Sequence, residues 1–520
     1  MSQRFLDPTP DTPAPLSDAH RLRTLLIGTA RSVSQLGHIL DVADPLPDLC
    51  GCLLPQAAVH APQASALLPC PVLGPLADLE RVVARVRPDQ VLVSLPLAMP
   101  EAIGNAAAVL ERAGVAWRFL PTLGDQLAGR TTSRITGGLP TKVGLATGSF
   151  VSSPIDPTRL IDRQPRPLDE EALRSCLTDR AVMITGAGGS IGSELARVVA
   201  RFSPSKLILV ERGENVLFEI DREISRVYPK LNCTAVLHDV TRRERTLDVV
   251  AAHKPDVVLH AAAHKHVPMM EDHPAEAVEN NFYGTRAIAD AADACGVDRF
   301  VMISTDKAVN PSSVMGATKR LAERYIQHLS TRGGTVFSMV RFGNVLGSAC
   351  SVVPIWTRQL EHGGPVTVTH PDMTRYFMTI PEAAGLVLQA GAQSAGGEVF
   401  LLDMGQPIRI LDLARRYVRM QGFEPDVDVE IKLTGKRPGE KLFEELAYHG
   451  EDMLPTPHDS IRVWQTCPPT ASEMDQIIAT FDRLRNKSDD PKRTWRETTP
   501  QAIIHALRAA VPEMIHAIAG

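Results

Sequence analysis

Thr305, Asp306 and Lys307 set a hydroxyl, a carboxylate and an amine side by side, one residue after the apolar run Val301-Met302-Ile303 and ahead of a loop broken by Pro311. The run reads as a buried parallel strand. A proton-sharing hydroxyl, an acid and a base just past the carboxyl end of such a strand stand where open α/β sheets place their ligands. A solvated loop with an exposed ion pair would show the same letters, and such pairs contribute little. The chemical reading therefore depends on the elements that position these residues.

The chain has 520 residues, 44% hydrophobic and 22% charged, enough for two or three domains with real cores. Its net charge of −5 gives no global basic field for nucleic acid. Eight scattered cysteines form no CxxC pair, and no signal peptide precedes them, so a reduced, cytoplasmic setting is expected. Cys50 and Cys52 flank a glycine, a spacing that offers little to a metal. No run approaches the roughly 18 to 20 apolar residues that span a bilayer.

Residues 1–20, rich in Pro, Asp and Ser, are expected to be disordered. Strand and helix signals then alternate over 21–130, through Arg23 to Gly28, Asp48 to Leu54, Gln90 to Leu95, a helix from Pro100 to Gly114 and a strand near Val115 to Leu120. This is a small α/β domain. Its first turn, Gly28-Thr29-Ala30-Arg31-Ser32-Val33, lacks the further glycines that admit a pyrophosphate, which argues against a dinucleotide there. Residues 131–169 carry Pro154, Pro157, Pro165 and Pro167 without sustained periodicity and read as a linker.

The apolar strand Ala181 to Thr185 runs into Gly186, Gly188, Gly189, Ser190, Ile191 and Gly192, and then into an Ala- and Leu-rich helix. Glycines at these points permit a tight turn and a close backbone, and the helix start offers N–H groups to a diphosphate. About 20 residues on, Glu211 closes the run Lys206 to Val210, where a carboxylate accepts from an adenosine ribose and repels a 2′-phosphate. NAD is thus expected over NADP, although Arg212 beside it could meet that phosphate. Asp239 and Val240 fit a loop beside the adenine, and Ala261-Ala262-Ala263 follow another strand as a small-residue turn. His264 and His266 alternate on an extended loop without a third ligand, so no metal is assigned.

Six stretches together carry a resemblance: Gly186 to Leu195, HAAAHKHVPMME (His260 to Glu271), STDKAVNPSSVMGATKRLAE (Ser304 to Glu323), VRFGNVLGS (Val340 to Ser348), VTHPDMTRYFMTIPE (Val368 to Glu382) and TGKRPGEKLFEE (Thr434 to Glu445). The chain resembles the polysaccharide-biosynthesis nucleotide-sugar 4,6-dehydratases, extended short-chain dehydrogenase/reductases acting on UDP-N-acetylglucosamine. The resemblance implies a Rossmann-type doubly wound parallel sheet with a C-terminal substrate-binding part over 170–470, preceded by a smaller Rossmann-like α/β domain. A helical tail follows over 471–520, with Gln501 to Ala510 as a packing helix. Long members of this family carry transmembrane helices ahead of the extra domain. Their lack here implies a soluble variant or a truncated chain, cytoplasmic or at the cytosolic face of the inner membrane. A homo-oligomer is expected.

The resemblance also implies chemistry. NAD takes hydride from C4 of the sugar, the resulting ketone acidifies C5, water leaves from C5 and C6, and hydride returns to C6. In the family's pattern Thr305 partners the C4 hydroxyl, Asp306 is the acid and Lys307 the base. Lys319 stands for the lysine of YxxxK and would hold the nicotinamide ribose. Met315 replaces the tyrosine of that motif and cannot move a proton; it matches the long dehydratases, which retain configuration at C5. Ala349-Cys350 depart from the family, which more often has a polar or basic residue and then glycine. On the substrate side fall Lys265 and Asn344, Arg375 and Arg437 for the diphosphate, and Glu440 for the uridine ribose. A C5-inverting dehydratase, a 4-epimerase and a non-catalytic NAD-binding scaffold are the alternatives.

Overall fold

Strands near the N-terminus carry runs of consecutive apolar residues, and a strand that is apolar on both faces must be covered on both faces. In β1 (Arg23–Gly28), Leu25, Leu26 and Ile27 are all fully buried. With β2 (Asp48–Leu54), β3 (Val72–Pro75), β4 (Gln90–Ser94) and β5 (Ala116–Phe119) it forms a parallel sheet in the order β3-β2-β1-β4-β5. One face packs Leu25, Ile27, Val91 and Val93 against Val82, Leu110 and Trp117; the other packs Leu26, Cys52 and Leu92 against Val33 and Leu40. The covering helices are Ala30–Leu40, Leu79–Val86 and Pro100–Ala113.

This is a computed structural model; it describes residues 22–40, 47–55, 68–95, 100–120, 122, 160–163, 166–362, 364–421, 425–426, 429–446, 453–464, 466–486 and 494–515. The expected disorder of 1–20 and most of the stretch read as a linker lie outside the described residues. The chain divides into two compact units, residues 1–155 with 416–430 and residues 156–415 with 431–520. Arg163 and Leu168, near the end of the supposed linker, pack within the second unit. Arg163 Nε donates to both oxygens of Glu382 at 3.0 and 2.8 Å, and a Cβ on Gly385 would stand 2.7 Å from Leu168.

The second unit is built on a nine-stranded sheet. Its parallel part contains β6 (Ala181–Thr185), β7 (Lys206–Glu211), β8 (Cys233–Leu237), β9 (Val257–His260), β10 (Arg299–Ile303) and β11 (Val336–Arg341). The order across the sheet is Met453–Pro455, Ile461–Trp464, Val399–Leu402, β11, β10, β9, β6, β7, β8, in which Ile461–Trp464 alone runs against the other strands. Alternate side chains feed two cores. Val182, Ile184, Leu209, Leu259 and Val340 face one, and Met183, Ile208, Val258, Phe300 and Met339 face the other. The chain moves outward from β6 to β8 and then returns to β9 on the other side of β6. Between the carboxyl ends of β6 and β9 lies the switch point at which such sheets bind ligands.

The tail joins the second core. Met474 and Phe481 of the helix Ala471–Arg485, and Ile503 and Leu507 of Pro500–Ala510, pack with Phe282 and Tyr325. Ile515 N also donates to the carbonyl of Pro311 at 3.0 Å, so the tail touches the loop that follows β10. Among the described residues no helix is long and apolar enough to cross a membrane.

Candidate active site

Gly186 takes φ +69°, and a Cβ there would stand 2.7 Å from the Ala262 nitrogen. At Gly192 a Cβ would collide with the Gly186 carbonyl, and at Gly188 it would lie 2.5 Å from Val216. These contacts explain three of the glycines, while Gly189 starts the helix Ser190–Arg201 with no side-chain cap, which leaves its first N–H groups for an anion. A crevice opens here, lined by Gly186, Gly189, Val210 to Arg212, His238 to Val240, Ala261 to His264 and Asn280. Gly188, Ser190, Ile191 and Gly192 shape the turn from behind. Ser190 Oγ accepts from Ala349 N at 3.0 Å.

At the crevice wall Glu211 accepts from the backbone N–H groups of Arg212 (2.8 Å), Gly213 (3.0 Å) and Gly188 (3.3 Å), which fixes its carboxylate. Arg212 is drawn away from it: Nη1 donates to Asn280 at 3.3 Å and Nη2 meets His264 Nε2 at 3.2 Å. Burial alone would raise the Asp239 carboxyl, but hydrogen bonds from the Thr241 amide and hydroxyl hold it below its usual range. His260 is sealed beneath the turn between Thr185 Oγ1 (2.7 Å) and Thr285 Oγ1 (2.9 Å), and burial pushes its pKa down to about 3, so the ring is neutral. Among the described residues no group of three or more His, Cys, Asp and Glu side chains could hold a metal ion.

Asn280 and Asn281 were not singled out from the sequence. They sit in a π-helical turn, Val278–Tyr283, whose extra residue lets two adjacent amides face inward. Asn281 Oδ1 accepts from His264 N at 2.8 Å, and its Nδ2 donates to His264 O at 3.0 Å and to Thr318 Oγ1 at 3.1 Å. It thereby ties the loop after β9 to the helix Val314–Ser330. Consecutive asparagines inside an apolar helical stretch were the available signal.

β10 delivers the residues expected to react. Thr305 caps the short turn Asp306–Ala308: its Oγ1 accepts from Lys307 N at 3.3 Å and donates to Asp306 Oδ1 at 2.9 Å. Lys307 Nζ donates to Asp306 Oδ1 at 3.0 Å and to Asn344 Oδ1 at 3.1 Å. Asp306 is fully buried, and its Oδ2 has no hydrogen-bond partner. Burial alone would lower Lys307, yet the Asp306 and Glu444 carboxylates hold its ammonium above the usual lysine range. Lys319 Nζ donates to Ile303 O at 2.7 Å, and burial brings its pKa down to about 8. Met315, one turn earlier, is 3% exposed and packed in the apolar core.

The residues expected to meet substrate separate. Asn344 lies beside Lys307, as above. Lys265 donates to Ala349 O at 2.8 Å, with Ser348 Oγ at 3.4 Å, and burial lowers its pKa. Arg375 is buried; its Nη1 donates to Thr374 O (2.7 Å) and Leu442 O (3.2 Å), its Nη2 to Lys441 O (2.8 Å), and its Nε faces Glu444 at 3.4 Å. A guanidinium so engaged organises the 441–444 segment. Arg437 and Glu440 are paired with each other at 2.6 Å, the arginine exposed, so each is engaged before any substrate arrives. Glu444, which sequence reasoning passed over, is buried beside Lys307. Cys350 takes φ +57°, a backbone state that favours glycine.

Residues 182–466 match the family pattern of polysaccharide biosynthesis proteins. Among curated relatives, the capsular polysaccharide biosynthesis protein CapD of Staphylococcus aureus is 45% identical over 73% of this chain and 61% of its own length. The chain thus spans about six-tenths of that relative. A UDP-N-acetylglucosamine 4,6-dehydratase (inverting) of Campylobacter jejuni is 32% identical over 51% of this chain and 76% of its own length. Among solved structures, Pen from Bacillus thuringiensis matches with a TM-score of 0.51 and 32% identity, over 55% of this chain and 89% of that one.

Proposed function

The chain belongs to the polysaccharide biosynthesis protein family, and on that premise we propose that it is an NAD-dependent 4,6-dehydratase of a UDP-sugar, UDP-N-acetylglucosamine foremost, yielding a 4-keto-6-deoxy sugar for a surface glycan. The observation that carries this reading is the linked set Thr305, Asp306 and Lys307 at the end of β10, with a buried methionine where a proton-moving tyrosine would stand. Gly186, Gly189, Gly192, Glu211, Asp239, Val240 and Ala261 to Ala263 would hold the dinucleotide, and Lys319 its nicotinamide ribose. The cradle fits: two backbone contacts admit only glycine, helical N–H groups are free for a diphosphate, and a fixed carboxylate stands at the ribose position.

Bound NAD supplies a reversible acceptor for the C4 hydrogen. Thr305 Oγ1 passes the C4 hydroxyl proton to Asp306, 2.9 Å away. With C4 a ketone, Lys307 takes the C5 proton while the proton on Asp306 leaves with the C6 oxygen as water. Lys307 then returns its proton to C5 as C6 is reduced. Because one side chain on one face removes and replaces that proton, retention at C5 is the proposed outcome. The name of the Campylobacter relative favours the opposite. NMR of the product formed from UDP-N-acetylglucosamine in deuterated water decides: a retained, deuterated C5 supports the reading, and an inverted C5 assigns this chain to the other branch. A product with only C4 epimerised would overturn dehydration itself.

A further inference from the structure

Lys307 must begin the elimination as a free amine, whereas its surroundings hold it as an ammonium. Asp306 cannot take that proton, because it must be empty to receive the one from C4 through Thr305. A second carboxylate faces the amine. Glu444 has a side chain 3% exposed, with Oε1 3.9 Å from Lys307 Nζ and 3.4 Å from Arg375 Nε. We propose that Glu444 takes the Lys307 proton when substrate fills the site and keeps it through turnover, acting through Lys307 and never on the sugar. The inference rests on Lys307 being the C5 base.

The balance closes. An N–H bond of Lys307 breaks and an O–H bond forms on Glu444, so a cation and an anion become neutral together. The C4 hydroxyl proton then charges Asp306 as the acid. The C5 proton goes to Lys307 as the Asp306 proton departs in water, and Lys307 gives its proton back to C5. Asp306 and Lys307 finish as they began, and the exchangeable hydrogens of the Lys307 amine carry the solvent label to C5.

The surroundings favour this transfer. Burial pushes the Glu444 carboxyl up, against the pull of Lys307; Asp306 pushes it further, and Arg375 and Lys441 also oppose. Two carboxylates in one buried site cannot both stay ionised cheaply once a neighbouring cation is lost. The other charges around the amine come from separate segments. Lys265 belongs to the loop after β9, and Arg375 to the strand Thr374–Arg375. Lys441 is occupied by Glu445 at 2.9 Å and by Val309 O at 3.1 Å. Asn344 contributes a neutral amide oxygen.

Glu444→Gln keeps the shape and removes the proton site. In the unaltered enzyme, turnover should be nearly flat from about pH 7 to 9. In Glu444→Gln it should fall about 10²-fold at neutral pH and recover about tenfold per pH unit, as Lys307 loses its proton to solvent instead. Glu444→Asp should restore the flat profile. A flat profile at the native rate in Glu444→Gln would overturn the proposal, and so would a loss without a pH slope while NAD remains bound. Lys307→Met separates the two readings. If it turns over normally, Lys307 is not the base; if it is inactive at every pH while Glu444→Gln behaves natively, only the role of Glu444 falls.

Discussion

The molecule contains the same strand order twice, once with a crevice and once without. β1 lies between β2 and β4 as β6 lies between β7 and β9, and each sheet turns back at that point. In the first sheet Ser32 Oγ, on the helix after β1, donates to the Ser94 carbonyl at the end of β4 at 2.5 Å, and a Cβ on Gly28 would meet both groups. In the second sheet the corresponding gap is framed by glycine backbone and the Glu211 carboxylate and stands open. Topology provides the place for a ligand; a single hydroxyl can close it.

The comparison breaks most completely at Gly186. Gly186→Val drives a branched side chain into the Ala262 backbone and should abolish NAD retention and all turnover, read by extracting the purified protein. Next come the reacting groups. Asp306→Asn and Lys307→Met should each cost about 10² to 10⁴ in turnover with NAD still bound. With Lys307 replaced, C5 exchange should fall as far as turnover, whereas with Asp306 replaced exchange should outlast it, because the C5 proton can still leave. Normal turnover in either variant would remove it from the mechanism.

A smaller effect sharpens what the open crevice selects. Glu211→Gln removes the charge that repels a 2′-phosphate and should narrow the preference for NAD over NADP by on the order of tenfold, measured as the ratio of dissociation constants. Lys319 gives a pH signature. Its folded pKa of about 8 lies below the ordinary lysine value, so between about 8 and 10.5 the unfolded chain binds more protons and this group's contribution to stability rises with pH. Denaturant midpoints of Lys319→Met should lack that rise. Smallest of all, Ser32→Ala should cost about 1 kcal/mol in the first unit and leave turnover unchanged; loss of turnover would mean that the closed switch point has a task after all.

The sequence made much of this legible where the determinants are contiguous. Strand, glycine turn and helix over Ala181 to Leu195 come in one stretch, as do the strand and the linked hydroxyl, carboxylate and amine of Val301 to Lys307, and short-range pattern suffices for both. The burial of Arg375 was not legible, because its partners, the carbonyls of Lys441 and Leu442 and the Glu444 carboxylate, lie nearly seventy positions away. Glu444 escaped notice for the same reason: nothing local distinguishes it from the exposed acids around it. The asparagines of the π-turn depend on a helical geometry that period-3.6 reasoning does not contain.

That turn has a consequence for register. An α-helix advances about 100° per residue, and the widened turn at Val278–Tyr283 absorbs one residue more than regular winding would. Deleting one residue from it would let the backbone relax into plain α-helix, and the following helix, Gly284–Ala294, would keep its winding with Thr285 still on His260. What would go is the pair of inward amides: with the wide turn lost, Asn280 or Asn281 would turn outward, and Arg212 or His264 would lose its partner. The chain length of this one segment is therefore as constrained as any of its side chains.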